Sequence, residues 1–163
     1  MTAIDTAKAE HRAMRFATID DLLAEIDRII AAERAGTLRR SGNWSVGRIF
    51  SHLAAWIEYA YDGFPPGARP PWIIRFMLKF MKKKYLRGGM PRGVRIPGPA
   101  EGTFGTDDLT TDEGARRLRA ALARLKNREP SRFHSPAFGP VSDDERIAMT
   151  LRHAETHLGF VHY

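Results

Sequence analysis

Apolar residues recur at intervals of three and four residues in four long stretches of this chain, and this spacing limits the possible folds more than any other feature. The stretches predict helices at about 19–33, 45–62 and 111–127, and a last helix that begins at 142 and runs towards the C-terminus. No stretch shows the alternation of apolar and polar residues that is typical of a strand. The sequence therefore predicts an all-α protein in which four long helices form an antiparallel bundle.

Two of the helix starts carry a specific signal, the capping box. In this motif a Ser or Thr before the helix and a Glu three residues later each bind the other's backbone N–H group. Thr110 and Glu113 match the motif, and so do Ser142 and Glu145. These pairs predict where the last two long helices begin.

The connection between the second and third long helices holds one more regular segment. Residues 72–86 combine apolar and basic side chains and predict an extra short helix, with its apolar side packed on the bundle. Contact with an anionic membrane surface and a dimer contact are the alternatives. The Gly- and Pro-rich stretch from 88 to about 108 predicts a loop.

Composition narrows the class of protein. The length of 163 residues predicts a single domain, 1–163, in which residues 1–16 form a loosely held N-terminal arm. The chain has no cysteine, which excludes disulfides and thiolate ligands and is typical of a cytoplasmic protein. No stretch reaches the ~20 apolar residues of a membrane span. The net charge of +7 permits a nucleic-acid partner. However, no helix-turn-helix or zinc-finger motif is present, and the arginines between 116 and 128 predict a solvated face.

Three histidines form a candidate metal site. His153 and His157 lie four residues apart on the last helix, so their side chains project from the same side and can reach one metal ion. His52 falls on the apolar stripe of the second helix, where its ring nitrogens need partners. Three protein ligands leave a coordination position open, as in catalytic zinc sites. Spacing alone also permits a chance pair and a hydrogen-bonded core histidine.

The sequence gives weaker indications of function for four other polar and aromatic residues. Glu155 lies two residues after His153, and this offset predicts a solvated surface acid rather than a general base. Trp56 and Tyr59 on the second helix could line a pocket or pack in the core. His134 could lie in a pocket near the metal or cap a turn in its loop.

Three motifs resemble the DinB/YfiT-like superfamily of metalloenzymes. Residues 43–53, NWSVGRIFSHL, resemble its Trp-Ser helix start followed by His-Leu. Residues 151–160, LRHAETHLGF, resemble its closing His-x-x-x-His helix. Residues 134–142, HSPAFGPVS, resemble a loop of one uncharacterised branch, a family of unknown function, except that Ser135 separates the His from the Pro. The resemblance runs from Trp44 to the C-terminus.

The resemblance implies a fold and a function. It implies an up-down-down-up four-helix bundle, often a homodimer, with zinc or nickel bound by His52, His153 and His157. Known relatives include thiol-dependent S-transferases, an isomerase that uses mycothiol, and a hydrolase type. We therefore expect a metal-dependent enzyme that acts on a small-molecule substrate through a metal-bound water or thiol. Without cysteine, a transferase needs a small-molecule thiol as cosubstrate. A hydrolase and a non-catalytic metal-binding or stress-related protein are the alternatives.

Overall fold

Five helices make up most of the regular structure in residues 4–96 and 99–163, the part of the chain that the computed structural model describes. They are α1 (Ile19–Ala35), α2 (Val46–Asp62), α3 (Trp72–Gly88), α4 (Thr111–Lys126) and α5 (Asp143–Leu158). The prediction of a mostly helical protein is confirmed. Two short strands, β1 (Arg39–Arg40) and β2 (Val161–His162), were not predicted; they pair antiparallel with Arg39 opposite His162.

The helix starts that were predicted from capping boxes are confirmed. The backbone N–H of Glu113 donates to the Thr110 hydroxyl (3.3 Å), and the N–H of Thr110 donates to the Glu113 carboxylate (3.0 Å). Ser142 and Glu145 form the same pair of bonds at the start of α5. Each box satisfies backbone donors that the first turn of a helix leaves without partners.

Helices α1, α2, α4 and α5 contribute to one hydrophobic core. Its fully buried large side chains include Leu22, Ile26, Ile29, Phe50, Leu118, Leu122, Leu125 and Leu158. Burying one such side chain stabilises the fold by roughly 1.5–3 kcal/mol relative to leaving it exposed. The backbones of α2 and α4 approach closely at two glycines, since a Cβ atom on Gly114 would lie only 2.6 Å from the carbonyl oxygen of Gly47.

The N-terminal segment, residues 4–16, contains neither helix nor strand and contacts α5 and the residues after it. The backbone N–H of Arg12 donates to the carbonyl of Gly159 (2.7 Å), and the His11 ring nitrogen Nε2 lies 3.0 Å from the carbonyl of Thr156. Phe16 is buried at the end of the segment. Residues 1–3 of the predicted arm lie outside the described residues, and its loose attachment stays a prediction.

Glu155 corrects one prediction, because it is a buried carboxylate and not a solvated surface acid. Its carboxylate accepts a hydrogen bond from the backbone N–H of Phe16 (2.6 Å) and forms a salt bridge with Arg152 (2.8 Å). Burial raises the pKa of Glu155, while the bond from Phe16 and the charge of Arg15 act in the opposite direction. Glu155 therefore serves to hold the N-terminal segment against α5.

Helix α3 has the predicted position, but only a few of its apolar residues, such as Leu78 and Leu86, are half-buried. None of its residues is buried. It is held to α5 by a salt bridge between Lys82 and Glu145 (2.7 Å), and the ring of Tyr85 lies 6.1 Å from that of Phe138. These contacts use one side of the helix and leave its largest apolar side chains exposed.

Most basic residues of α4 are paired with carboxylates rather than simply solvated. The half-buried Arg117 binds the carboxylates of Glu58 (2.8 Å) and Asp107 (2.7 Å), so the predicted solvated face is wrong at this position. Three more exposed cations of α4 also form salt bridges with carboxylates. Among the described residues, no helix is long and apolar enough to cross a membrane.

Candidate metal centre

His52 is placed by the apolar stripe of α2. Ser45 caps the helix by accepting a hydrogen bond from the backbone N–H of Arg48 (3.2 Å), and seven residues after this cap His52 faces the core with 2% of its surface exposed. Its Nδ1 lies 2.9 Å from the carbonyl oxygen of Phe104. A carbonyl can only accept, so Nδ1 carries the proton and Nε2 presents a lone pair.

His153 and His157 are placed by α5, one turn apart and both partly buried. The Nε2 atom of His153 lies 3.1 Å from Nε2 of His157 and 3.1 Å from Nε2 of His52. The ligand atoms of all three rings lie within 4.8 Å of one another. Two ligands at a Zn–N distance of ~2.0–2.1 Å in tetrahedral geometry are about 3.3 Å apart, so the cluster could hold a metal ion.

Protons alone cannot satisfy the cluster. A neutral imidazole nitrogen either carries a proton or offers a lone pair, never both. Nε2 of His52 offers a lone pair, so Nε2 of His153 must carry a proton to bind it. Nε2 of His153 then cannot accept a bond from His157, so the two 3.1 Å contacts either share this one proton in a weak three-centre bond or leave one contact without a hydrogen bond. A cation that all three lone pairs face removes this conflict.

The environment keeps the three rings neutral, which is the form that binds metal. Burial lowers the pKa of His52 to about 4, although the bond to the Phe104 carbonyl opposes this shift. Burial also lowers the pKa of His153 and of His157 well below the ordinary value, and repulsion by His52 adds to the effect on both. At neutral pH the cluster therefore offers neutral nitrogen ligands.

Aromatic rings surround the histidines. Trp44 stacks on His157 with an angle of 5° between the ring planes and 5.3 Å between ring centres, and it meets His52 edge-on at 5.0 Å. Trp56 lies edge-on to His52 and to His153, at 6.2 Å and 6.1 Å. These rings restrict the orientations of the three imidazoles and exclude water from one side of the cluster.

The loop before α4 supplies the carbonyl that orients His52. Gly105, at φ 72°, lets this loop lie directly on α2, because a Cβ atom there would be 2.4 Å from Cβ of Ala55 and 3.0 Å from the hydroxyl of Tyr59. This approach puts the carbonyl of Phe104 against the His52 ring. The sequence predicted a loop here, but it could not indicate that the Phe104 carbonyl contacts His52, because every residue has a main-chain carbonyl.

The structure brings together the three histidines that the sequence singled out. His134, the fourth candidate, is exposed and does not belong to the cluster. Trp56 lies beside the histidines, and its predicted role in a pocket stays a prediction. The roles of Trp44 and the Phe104 carbonyl were not predicted, although Trp44 stands in the motif that carries the resemblance.

The fold and the site define a mostly helical protein with a buried three-histidine cluster that could hold a metal ion. The chain belongs to the family described as "Protein of unknown function (DUF1569)", whose model matches residues 8–163. No curated protein and no solved structure matches the chain.

Proposed function

We propose that His52, His153 and His157 bind one zinc or nickel ion and that the protein is a metal-dependent enzyme. One observation carries the proposal. Three neutral imidazole nitrogens converge, the tautomer of one is fixed by the Phe104 carbonyl, and protons can make at most one well-aligned hydrogen bond across the two 3.1 Å contacts. A divalent cation satisfies all three nitrogens at once.

We further propose that the protein is a cytoplasmic, single-domain member of the DinB/YfiT-like superfamily and forms a homodimer. In this proposal α1, α2, α4 and α5 form the up-down-down-up four-helix bundle, α3 lies in a connection, and residues 1–16 form the arm. The shared core of the four helices supports this arrangement. The positions of the three motifs also support it, because they fall at the start of α2, in the loop before α5 and on α5.

The donor set favours thiol chemistry. A divalent ion on three neutral ligands keeps its full charge and, when bound, lowers the pKa of a thiol or water in its open position. The chain has no cysteine, so the thiol must be a small-molecule cosubstrate. The chain's own part is to hold the ligands, to fix the tautomer of His52 through Phe104 and to exclude water with Trp44 and Trp56. We therefore propose a thiol-dependent S-transferase. A hydrolase is less well supported, because within the described residues the cluster contains no carboxylate that could act as general base.

Metal content tests the site. Untagged wild-type protein, His153→Ala and His134→Ala would be incubated with zinc or nickel, desalted and analysed by inductively coupled plasma mass spectrometry. The exposed His134 makes the matched control. We expect about one ion per chain in the wild type and in His134→Ala, and its loss in His153→Ala. Metal-free wild type, or equal metal in the two variants, would overturn the proposed site.

Spectroscopy of the nickel-loaded protein tests the reaction class. A thiolate that binds nickel produces a charge-transfer absorption band, so addition of a small thiol such as cysteine or glutathione is expected to create that band. The band should be absent from His153→Ala. A loaded wild type whose spectrum no small thiol changes would exclude the S-transferase and leave the metal site intact.

A further inference from the structure

Helix α3 presents a large apolar surface to solvent. The exposed fractions are 74% for Trp72, 55% for Ile73, 60% for Phe76, 57% for Met77 and 75% for Phe80. We call these five side chains the exposed face of α3. Proteins that remain monomeric in water rarely expose so many adjacent large apolar side chains, and such patches mark interaction sites.

The same helix carries nearly all of the molecule's excess charge. It contains six Lys and Arg residues and no carboxylate, whereas the net charge of the whole chain is +7. Lys82 forms a salt bridge with Glu145. The other five cations, which are Arg75, Lys79, Lys83, Lys84 and Arg87, form no salt bridge with any described residue. The basic residues of α4, by contrast, are mostly bound to carboxylates.

The apolar and basic residues share one side of α3. At about 100° per residue, the exposed face covers an arc of about 140°. Lys83, Lys84 and Arg87 continue this arc towards the C-terminal end, and Lys79 borders it. Lys82 and Tyr85, whose side chains contact Glu145 and Phe138, lie on the opposite side of the helix. The helix is therefore fixed with its apolar and basic side pointing outwards.

We propose that the exposed face of α3 docks on a lipid bilayer that contains anionic lipids. The apolar side chains would enter the boundary between headgroups and acyl chains, and the free cations would contact the anionic headgroups. The helix has 17 residues and is about 25 Å long, so it would lie parallel to the membrane plane. An anionic bilayer matches both properties of this surface, its apolar character and its uncompensated positive charge.

The charge distinguishes the bilayer from a second copy of the chain. Two copies that paired through this face would bring together two sets of the four unpaired cations that lie on or beside it, which are all except Arg75, and like charges at such distances repel each other. An anionic bilayer presents the opposite charge over the whole length of α3. The observations therefore favour the lipid surface over self-association.

Co-sedimentation with large unilamellar vesicles tests this proposal. Untagged full-length protein would be mixed with vesicles of phosphatidylcholine alone or with about 30% phosphatidylserine. The variants are F76S/F80S, which removes apolar contacts, and K79Q/K83Q/K84Q, which removes three cations. R116Q/R119Q/K126Q on α4 removes the same charge from another surface and is the matched control. Circular dichroism would verify that each variant is folded.

We expect the wild type to bind anionic vesicles at least tenfold more tightly than neutral ones, with weaker binding at high salt. Each cation near a membrane surface contributes about fivefold, so K79Q/K83Q/K84Q should bind about a hundredfold more weakly. F76S/F80S should lose about tenfold or more at unchanged charge, and the α4 variant should stay within about threefold of the wild type.

Three results would overturn the proposal. One is the absence of binding to anionic vesicles, and another is equal weakening by the α3 and α4 charge variants, which would indicate a general charge effect. The third is a wild-type dimer, measured by light scattering, that F76S/F80S converts to a monomer while vesicle binding does not change. That result would assign the exposed face to a second copy of the chain.

Discussion

Gly47 is the position where the close approach of α2 to the start of α4 can be tested by one added carbon atom. A Cβ atom at this position would lie 2.0 Å from the carbonyl oxygen of Leu109 and 2.6 Å from the carbonyl carbon of Thr110. Carbon and oxygen atoms that are not bonded normally stay about 3.2 Å or more apart. Both clashing atoms belong to the backbone next to the N-cap of α4, so no side-chain rotation can relieve the clash.

The substitution Gly47→Ala therefore has two opposing effects. Alanine in a helix interior is favoured over glycine by roughly 0.5–1 kcal/mol. The added methyl group must push the start of α4 away by about 1 Å, and overpacking of this kind typically costs 1–3 kcal/mol and occasionally more. Because backbone atoms are involved, we take the upper end of that range or slightly more. The expected net loss in the free energy of unfolding is about 2–3 kcal/mol.

Urea unfolding followed by circular dichroism measures this loss. With an m-value of about 2 kcal/mol/M, the midpoint of Gly47→Ala should fall by about 1–1.5 M at unchanged m. Gly88→Ala is the matched control, because a Cβ atom on Gly88 would have no neighbour within 4 Å. Its midpoint should stay the same or rise slightly. A Gly47→Ala midpoint equal to or above that of the wild type would refute the close approach of α2 and α4.

Two further predictions concern the metal centre and a helix cap. Trp44→Ala removes the ring stacked on His157 and should weaken zinc binding about tenfold, measured in competition with a chromophoric chelator. Trp72→Ala, which replaces an exposed tryptophan, is the control and should leave zinc binding unchanged. Equal zinc affinities of the two variants would contradict the positioning role of Trp44. Hydrogen bonds from the side chain and backbone of Thr110 hold the pKa of Glu113 below its ordinary value of 4.5. A carboxyl group with a lowered folded-state pKa stabilises the fold above pH 4.5, and this contribution is lost as the pH falls through the folded pKa. Glu113→Ala should therefore lower the Tm at pH 7, with a difference that narrows as the pH falls below 4.5. A difference that stays constant down to low pH would count against this cap.

The helices could be predicted because their signals are local. The capping boxes that begin α4 and α5 involve residues three positions apart, and the apolar stripes repeat within a single helix. The spacing of His153 and His157 is equally local. The convergence of His52 with this pair is a tertiary contact between α2 and α5, over 101 residues. The apolar stripe of α2 made His52 a candidate, and the family resemblance supported it.

The features that sequence analysis missed depend on distant partners. The sequence predicted that Glu155 is a surface acid, but the fold places it against the backbone of Phe16, which is 139 residues away in the chain. The strands β1 and β2 have two residues each and lie far apart in the sequence, and two residues are too few for any alternating pattern. The carbonyl of Phe104 is a backbone group, and every residue has one. Local patterns therefore identify the histidines of the cluster but not the groups that orient them.

The net charge illustrates the same limit and shows why α3 matters. A total of +7 is ambiguous, because a cation paired with a carboxylate contributes little to the field outside the protein. The structure pairs most cations of α4 and leaves five cations of α3 without a carboxylate partner among the described residues. A periodic pattern such as that of 72–88 predicts an amphipathic helix whether its apolar side is covered by protein or exposed. Only the contacts of Lys82 and Tyr85 on the opposite side establish that the apolar side points outwards, where a negatively charged surface can reach both the rings and the free cations.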